Sequence, residues 1–239
     1  MWVHFIGEPR DDFTVQTESE MLTLTSGPKS TFLVIYRSPD ERTWAELRDM
    51  RWAPASGPIP LPNWGFKWAI TADRTKLAYL DSNAKFRAIR VIDLVTGENV
   101  LIDLSQQIIA AGGGEESYFS SLAFAPDGSE VALGLSWKGG GRGPGLIWRV
   151  NLEGEVTARL LPPTAEELKD EPFVSRLQYS PDGRRLVADI CCLRLIEVDS
   201  GRVRDLPCGC VDADLAFSPD GNRLLAAKSD GLYVWKLGK

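Results

Sequence analysis

The sequence predicts an all-β fold assembled from repeated four-stranded antiparallel sheets, and three observations carry that prediction. A Pro-Asp-Gly turn flanked by alternating apolar residues recurs at Pro126, Pro181 and Pro219. Each copy is followed by another apolar-alternating run, the signature of a further strand. After most of these runs a Gly-containing turn leads into a fourth segment of the same kind.

Residues 13–62 read as a degenerate first repeat, with strands at Met21–Thr25, Thr31–Arg37 and Thr43–Arg48. The second repeat, about 64–104, runs from Trp68 through Ala69-Ile70-Thr71-Ala72-Asp73-Arg74-Thr75-Lys76 to Leu77. Arg74 stands there where the other repeats have Gly, so the turn must be strained or of another type. The third repeat, about 118–162, carries Leu122-Ala-Phe-Ala-Pro-Asp-Gly-Ser-Glu-Val131. The fourth, about 173–207, carries Leu177-Gln-Tyr-Ser-Pro-Asp-Gly-Arg-Arg-Leu186, and the fifth, about 212–239, carries Leu215-Ala-Phe-Ser-Pro-Asp-Gly-Asn-Arg-Leu224. Gly128, Gly183 and Gly221 supply the positive φ that such a tight hairpin needs. Third strands follow at Ile89–Leu94, Leu146–Leu152, Leu193–Val198 and Leu232–Leu237, and Thr96-Gly97, Glu153-Gly154 and Ser200-Gly201 turn into the fourth.

About five blades of four strands make a single β-propeller domain over 1–239. The last repeat ends after its third strand, so Trp2–Ile6 or Phe13–Thr17 is expected to supply the fourth and remove an exposed edge. A part of a larger propeller that needs a second chain is the competing reading.

The repeated turns resemble the WD40-like and TolB-like (PD40) β-propeller repeats, over roughly residues 64–239. The Gly-His dipeptide of WD40 repeats is missing, and their closing Trp-Asp survives only as Trp148-Arg149 and Trp235-Lys236, which places the likeness nearer the TolB-like branch. Such repeats also occur joined to α/β-hydrolase domains, but no Gly-x-Ser-x-Gly elbow is present.

A formal charge of −6 argues against a broad nucleic-acid footprint, which needs clustered Lys and Arg. The apolar runs, such as Phe32–Tyr36, are far shorter than the roughly 20 residues that span a bilayer. Met1–Arg10 shows no basic region followed by an apolar stretch, so no export signal is visible.

Blade topology puts the Pro-Asp-Gly and Thr-Gly turns on one face and the longer connections on the other. The second face then carries Asp81–Arg87, Ala111–Phe119, Ser136–Gly145, Leu161–Pro172 and Pro207–Asp212. Loops on a rigid scaffold are where binding residues concentrate. Phe86, Arg87, Tyr118, Phe119, Trp137, Lys138 and Arg142 are the residues expected to bind a partner, as rings and cations interleaved on that face. Trp64 and Trp68 also stand near it but read better as inter-blade packing. The glycine-rich run Trp137–Gly145 lacks a P-loop's Lys-Ser/Thr, and a hairpin loop is its plainer reading.

Four cysteines, Cys191, Cys192, Cys208 and Cys210, fall on the same face. Their spacing is a poor match to structural zinc, so no metal is assigned. Disulfides would place the chain outside the reducing cytosol; reduced thiols would place it inside. The one histidine, His4, lies away from the repeats, which disfavours Ser-His-Asp and His-metal chemistry. Glu115, Glu116, Glu171, Asp212 and Asp214 flank first strands, but solvated loop charge is their simpler reading. Asp127, Asp182 and Asp220 are turn residues.

The expectation is therefore a non-enzymatic module, without a cofactor, that binds a protein, peptide or small ligand through its long-loop face. A propeller that binds or cleaves carbohydrate with its aromatic and acidic loop residues is the alternative.

Overall fold

The computed structural model describes residues 2–5, 13–16, 20–26, 31–49, 51, 53–61, 67–136, 145–161, 173–190, 192–207, 214–228 and 231–237, with side chains from Thr31 onward. A short hairpin pairs β1 (Trp2–Phe5) with β2 (Phe13–Gln16). Five antiparallel meanders follow, and they are the blades of an all-β propeller.

Blade 1 orders β3 (Glu20–Ser26), β4 (Phe32–Arg37), β5 (Thr43–Arg48) and β6 (Ile59–Leu61). Blade 2 orders β7 (Trp68–Ile70), β8 (Lys76–Leu80), β9 (Ala88–Asp93) and β10 (Asn99–Asp103). A one-and-a-half-turn helix, α1 (Ser105–Ala110), which the sequence reading did not foresee, begins the link to blade 3. Blade 3 orders β11 (Tyr118–Phe124), β12 (Glu130–Ser136), β13 (Ile147–Asn151) and β14 (Val156–Leu160). Blade 4 orders β15 (Arg176–Tyr179), β16 (Arg185–Ile190), β17 (Cys192–Glu197) and β18 (Val203–Leu206). Blade 5 has three strands, β19 (Asp214–Phe217), β20 (Arg223–Lys228) and β21 (Gly231–Lys236).

One expectation is corrected and one alternative is decided. The N-terminal strands pair with each other, so among the described residues neither completes blade 5. Of the two alternatives at Arg74 the strained one holds: Arg74 sits at φ 61°, matching Gly128, Gly183 and Gly221 at 70°, 71° and 67°. A non-glycine residue there carries backbone strain, and the hydrogen bonds of the turn hold it in place.

Those bonds explain the repeat. The Ser180 hydroxyl donates to Asp182 at 2.6 Å and accepts the Arg185 N–H at 2.9 Å, while Asp182 accepts the Arg184 N–H at 3.1 Å. Ser218, Asp220 and Arg223 repeat the pattern, as do Thr71, Asp73 and Lys76. The same turn forms at Ser38-Pro39-Asp40-Glu41, with Glu41 at φ 64°, although there it joins the second and third strands of its blade.

Hydroxyl bonding holds Asp73, Asp182 and Asp220 below the usual carboxylate range, Asp220 at about 2. In Asp127, whose repeat has Ala125 in place of Ser, the Ser129 backbone N–H does the same. A depressed carboxylate stabilises the fold above the unfolded value, near 4, and that contribution disappears as the pH falls through the folded value. The melting temperature is therefore expected to hold from neutrality to about pH 5 and to fall between about pH 4 and 2. Calorimetry across that window checks it; Ser180→Ala, which removes a donor, should flatten part of the fall.

Packing runs from blade to blade. Leu33, Ile35, Ala45 and Leu47 of blade 1 lie against Leu77, Tyr79 and Ile92 of blade 2. A larger cluster joins blades 2, 3 and 4 around Leu133, Ile147, Trp148 and Leu186. A third joins blade 4 to blade 5 through Val187, Leu193, Leu195, Leu224 and Ala226. β11 packs beside both β7 and β15, so the first strands of three successive blades line the inside of the arc.

Candidate functional site

The long-loop face is built outward from the ends of these inner strands. In the connection from β8 to β9, Asp81 caps a short 3-10 turn by accepting the Asn83 N–H at 2.8 Å. Lys85 and Phe86 then both take positive φ, at 51° and 55°. This kink brings the Phe86 ring to 6.4 Å from that of Tyr118, and both rings are half-buried.

Two of the predicted binding residues do not face outward. Arg87 is buried; it donates from Nε to the Ser117 carbonyl at 2.9 Å and from an Nη to the Gly114 carbonyl at 2.8 Å. It ties the link before β11 onto blade 2, a structural task that occupies its guanidinium. Phe119 is 1% exposed and stands edge-on to Trp148 with centroids 5.7 Å apart. A bulge between Phe119 and Ser121 sets these directions, and the sequence gives no sign of it. Trp137, Lys138 and Arg142 lie outside the described residues, as do Cys191, Cys208 and Cys210. Cys192 is half-buried on β17, opposite Ile190.

A cleft of about 320 Å³ opens where β7, β11 and β15 begin. Lys67 and Trp68 line it from blade 2, Ser121 and Leu122 from blade 3, and Ser175, Arg176 and Leu177 from blade 4. Lys67 is exposed and Trp68 half-buried. Ser121 is 3% exposed, and its hydroxyl has no hydrogen-bond partner. The seam beneath is fixed by the Ser120 hydroxyl, which donates across blades to the Val174 carbonyl at 2.8 Å. Arg176 stands opposite Asp189 in the ladder and forms an ion pair with Asp214 of blade 5. Lys67, the Trp68 ring and the Arg176–Asp214 pair thus meet around one opening, with the Ser121 hydroxyl buried beneath it.

The turn face carries a cleft of its own. A cleft of about 600 Å³ runs between the turns of blades 3 and 4, past Pro126, Glu130, Arg149, Tyr179 and Pro181. Its polar groups answer one another. Glu130 accepts from Arg149 at 2.6 Å, from the Tyr179 hydroxyl at 3.1 Å and from Thr157 at 3.2 Å. Burial, reinforced by the Glu130 charge, pushes the Tyr179 phenol up. In that cleft the polar groups are spent on one another, whereas the cleft on the long-loop face presents Lys67 exposed beside the Arg176–Asp214 pair.

Three of the carboxylates considered for glycoside chemistry lie among the described residues. Glu115, Glu116 and Asp214 are exposed, and Asp214 is engaged by Arg176; Glu171 and Asp212 lie outside the described residues.

No protein-family model matches the chain, and no curated protein matches it. Among solved structures it is similar to the β-propeller domain of Cps50 (Swd1) from Myceliophteria thermophila, at 11% identity and a TM-score of 0.60 over 89% of this chain. It is similar also to hydrazine synthase from Kuenenia stuttgartiensis, at 19% identity and a TM-score of 0.56 over 89% of this chain. The chain spans 63% and 56% of those two chains. Likeness at such low identity speaks to the backbone alone, and what it establishes is that this chain has the β-propeller fold.

Proposed function

We propose that this propeller is a non-enzymatic interaction module that binds a protein or peptide partner through its long-loop face, centred on the cleft at the start of β7, β11 and β15. The observation that carries the reading is the convergence of Lys67, Trp68, Ser121 and Arg176 from three consecutive blades on one opening. Blades that pack rigidly hold such groups in place at little entropic cost, which favours recognition over a flexible encounter. Phe86 and Tyr118 extend the same face with ring surface, and Trp137, Lys138 and Arg142 are proposed to bind the partner with them.

Lys67 offers an exposed cation, and a partner carboxylate can replace Asp214 on Arg176, so the partner segment is acidic or presents a carboxylate. A panel of immobilised peptides, acidic and neutral, probed with the whole chain tests this, with a glycan array run beside it. Lys67→Glu and Arg176→Ala should each weaken capture of acidic peptides by about ten- to a hundredfold, the range of one charge-assisted hydrogen bond. Tyr118→Ala should weaken it less. Capture unaffected by either charge change, or glycan binding in place of peptide binding, overturns the reading.

A further inference from the structure

The repeat lets equivalent positions be compared between blades. In blade 4, Arg185 lies opposite Glu197, Val187 opposite Leu195, and Asp189 opposite Leu193. In blade 5, Arg223 lies opposite Lys236, Leu225 opposite Val234, and Ala227 opposite Leu232. Counting from the turn aspartates, Asp182 and Asp220, the two sets coincide. Val187, Leu193 and Leu195 are 0%, 2% and 5% exposed because blade 5 lies on them. Ala78, Ile89 and Val91, the matching positions of blade 2, are likewise buried under blade 3. Leu232 and Val234 occupy the same positions in blade 5 and are 70% and 60% exposed.

The face is thus of the kind every other blade in this comparison buries against a neighbouring sheet. Its sequence agrees. A strand with one wet side alternates apolar and polar residues, but Leu232-Tyr233-Val234-Trp235 is apolar on both sides. Tyr233 and Trp235 stack at 6.0 Å on the side that meets blade 4.

We infer that this face of blade 5 is a self-association surface, covered by the same face of a second copy of the chain. Charge and shape select that occupant. Ala216, Leu225 and Val234 form one cross-strand row, and Asp214, Ala227 and Leu232 the next. The rows are small and aliphatic, so the face is flat enough for two sheets to stack about 10 Å apart. Exposed Arg223 and Lys236 mark the turn end of the face, and Asp214, exposed although paired with Arg176 of blade 4, marks the other. A two-fold axis lying across the strands sets the basic end of each copy beside the acidic end of its mate, with the apolar rows between. Such an interface is isologous and closes at two copies.

Sedimentation velocity of the whole chain over a wide concentration series tests the inference. The expected result is a monomer–dimer equilibrium. Leu232→Asp with Val234→Asp should raise the dissociation constant about a hundredfold or more, from the loss of two buried aliphatic groups on each side. Lys236→Glu, an exposed single change that leaves the core untouched, should raise it about tenfold. Val203→Asp on β18, exposed but on another blade, should leave it unchanged. A chain that stays monomeric at every concentration overturns the proposal, and so does a dimer indifferent to both the aspartate pair and Lys236→Glu. Peptide capture by the long-loop face is read separately, so failure of one proposal leaves the other standing.

Discussion

Trp148→Ala should lower the free energy of unfolding by about 3–5 kcal/mol, the range for removing a fully buried large aromatic. Trp148 is 0% exposed at the centre of β13. Phe119 meets it edge-on, and the Arg159 guanidinium lies 4.8 Å from its ring centroid. No other side chain of its size is so completely buried among the described residues. Alanine would leave a cavity in the cluster that joins three blades. Against a total of about 5–15 kcal/mol for a typical domain, such a loss is a large share of the stability. Trp148→Phe makes the argument sharper. The indole N–H has no hydrogen-bond partner, so phenylalanine removes an unsatisfied donor as well as volume, and should lose only about half as much. Urea unfolding of the three proteins, compared at equal slope, decides it; equal losses for both variants would refute the account.

Glu130→Ala should be nearly as damaging, at about 3 kcal/mol, because removing one partner of a buried pair strands the other. The lower end of the range applies since Arg149 keeps 23% of its side chain in contact with water. The lost carboxylate also serves Tyr179, which reaches it from the next blade, and Thr157 on β14, two strands away in the same blade. The change thus removes the polar tie across the seam between blades 3 and 4. Glu155→Ala, an exposed acid on the same side of the blade, should change stability by less than about 0.5 kcal/mol. A double-mutant cycle between Glu130→Ala and Tyr179→Phe measures how much of the loss crosses the seam.

Much of the fold is legible in the sequence because the turn is local chemistry. Ser180, Pro181, Asp182 and Gly183 lie within four residues, and everything that fixes their geometry lies within those and the next two. The copy at Ser38-Pro39-Asp40 was open to the same reading and was overlooked because Glu41 stands where Gly is expected and the flanking repeat is degenerate. What the sequence does not reveal is long-range. Arg87 looks like a surface cation until the carbonyls of Ser117 and Gly114 come to meet it from about thirty residues away. Phe119 looks like half of an aromatic pair with Tyr118, but successive strand residues face opposite ways, and the bulge decides which is inside. Lys67, Ser121 and Arg176 carry no local signal. Only the packing of β11 between β7 and β15 makes them neighbours.

The three apolar clusters are arranged in series, and this order bears on how such a chain grows. Each blade answers only to the blades beside it, as in other repeat proteins. A gene duplication that copied the last repeat would place Val234 and Leu232 beneath a new sheet and hand the open position to its successor. The interior seams, Trp148 and Glu130 included, would be left as they are. The outer face of blade 5 is in that sense a joining surface, already shaped for whatever sheet arrives next.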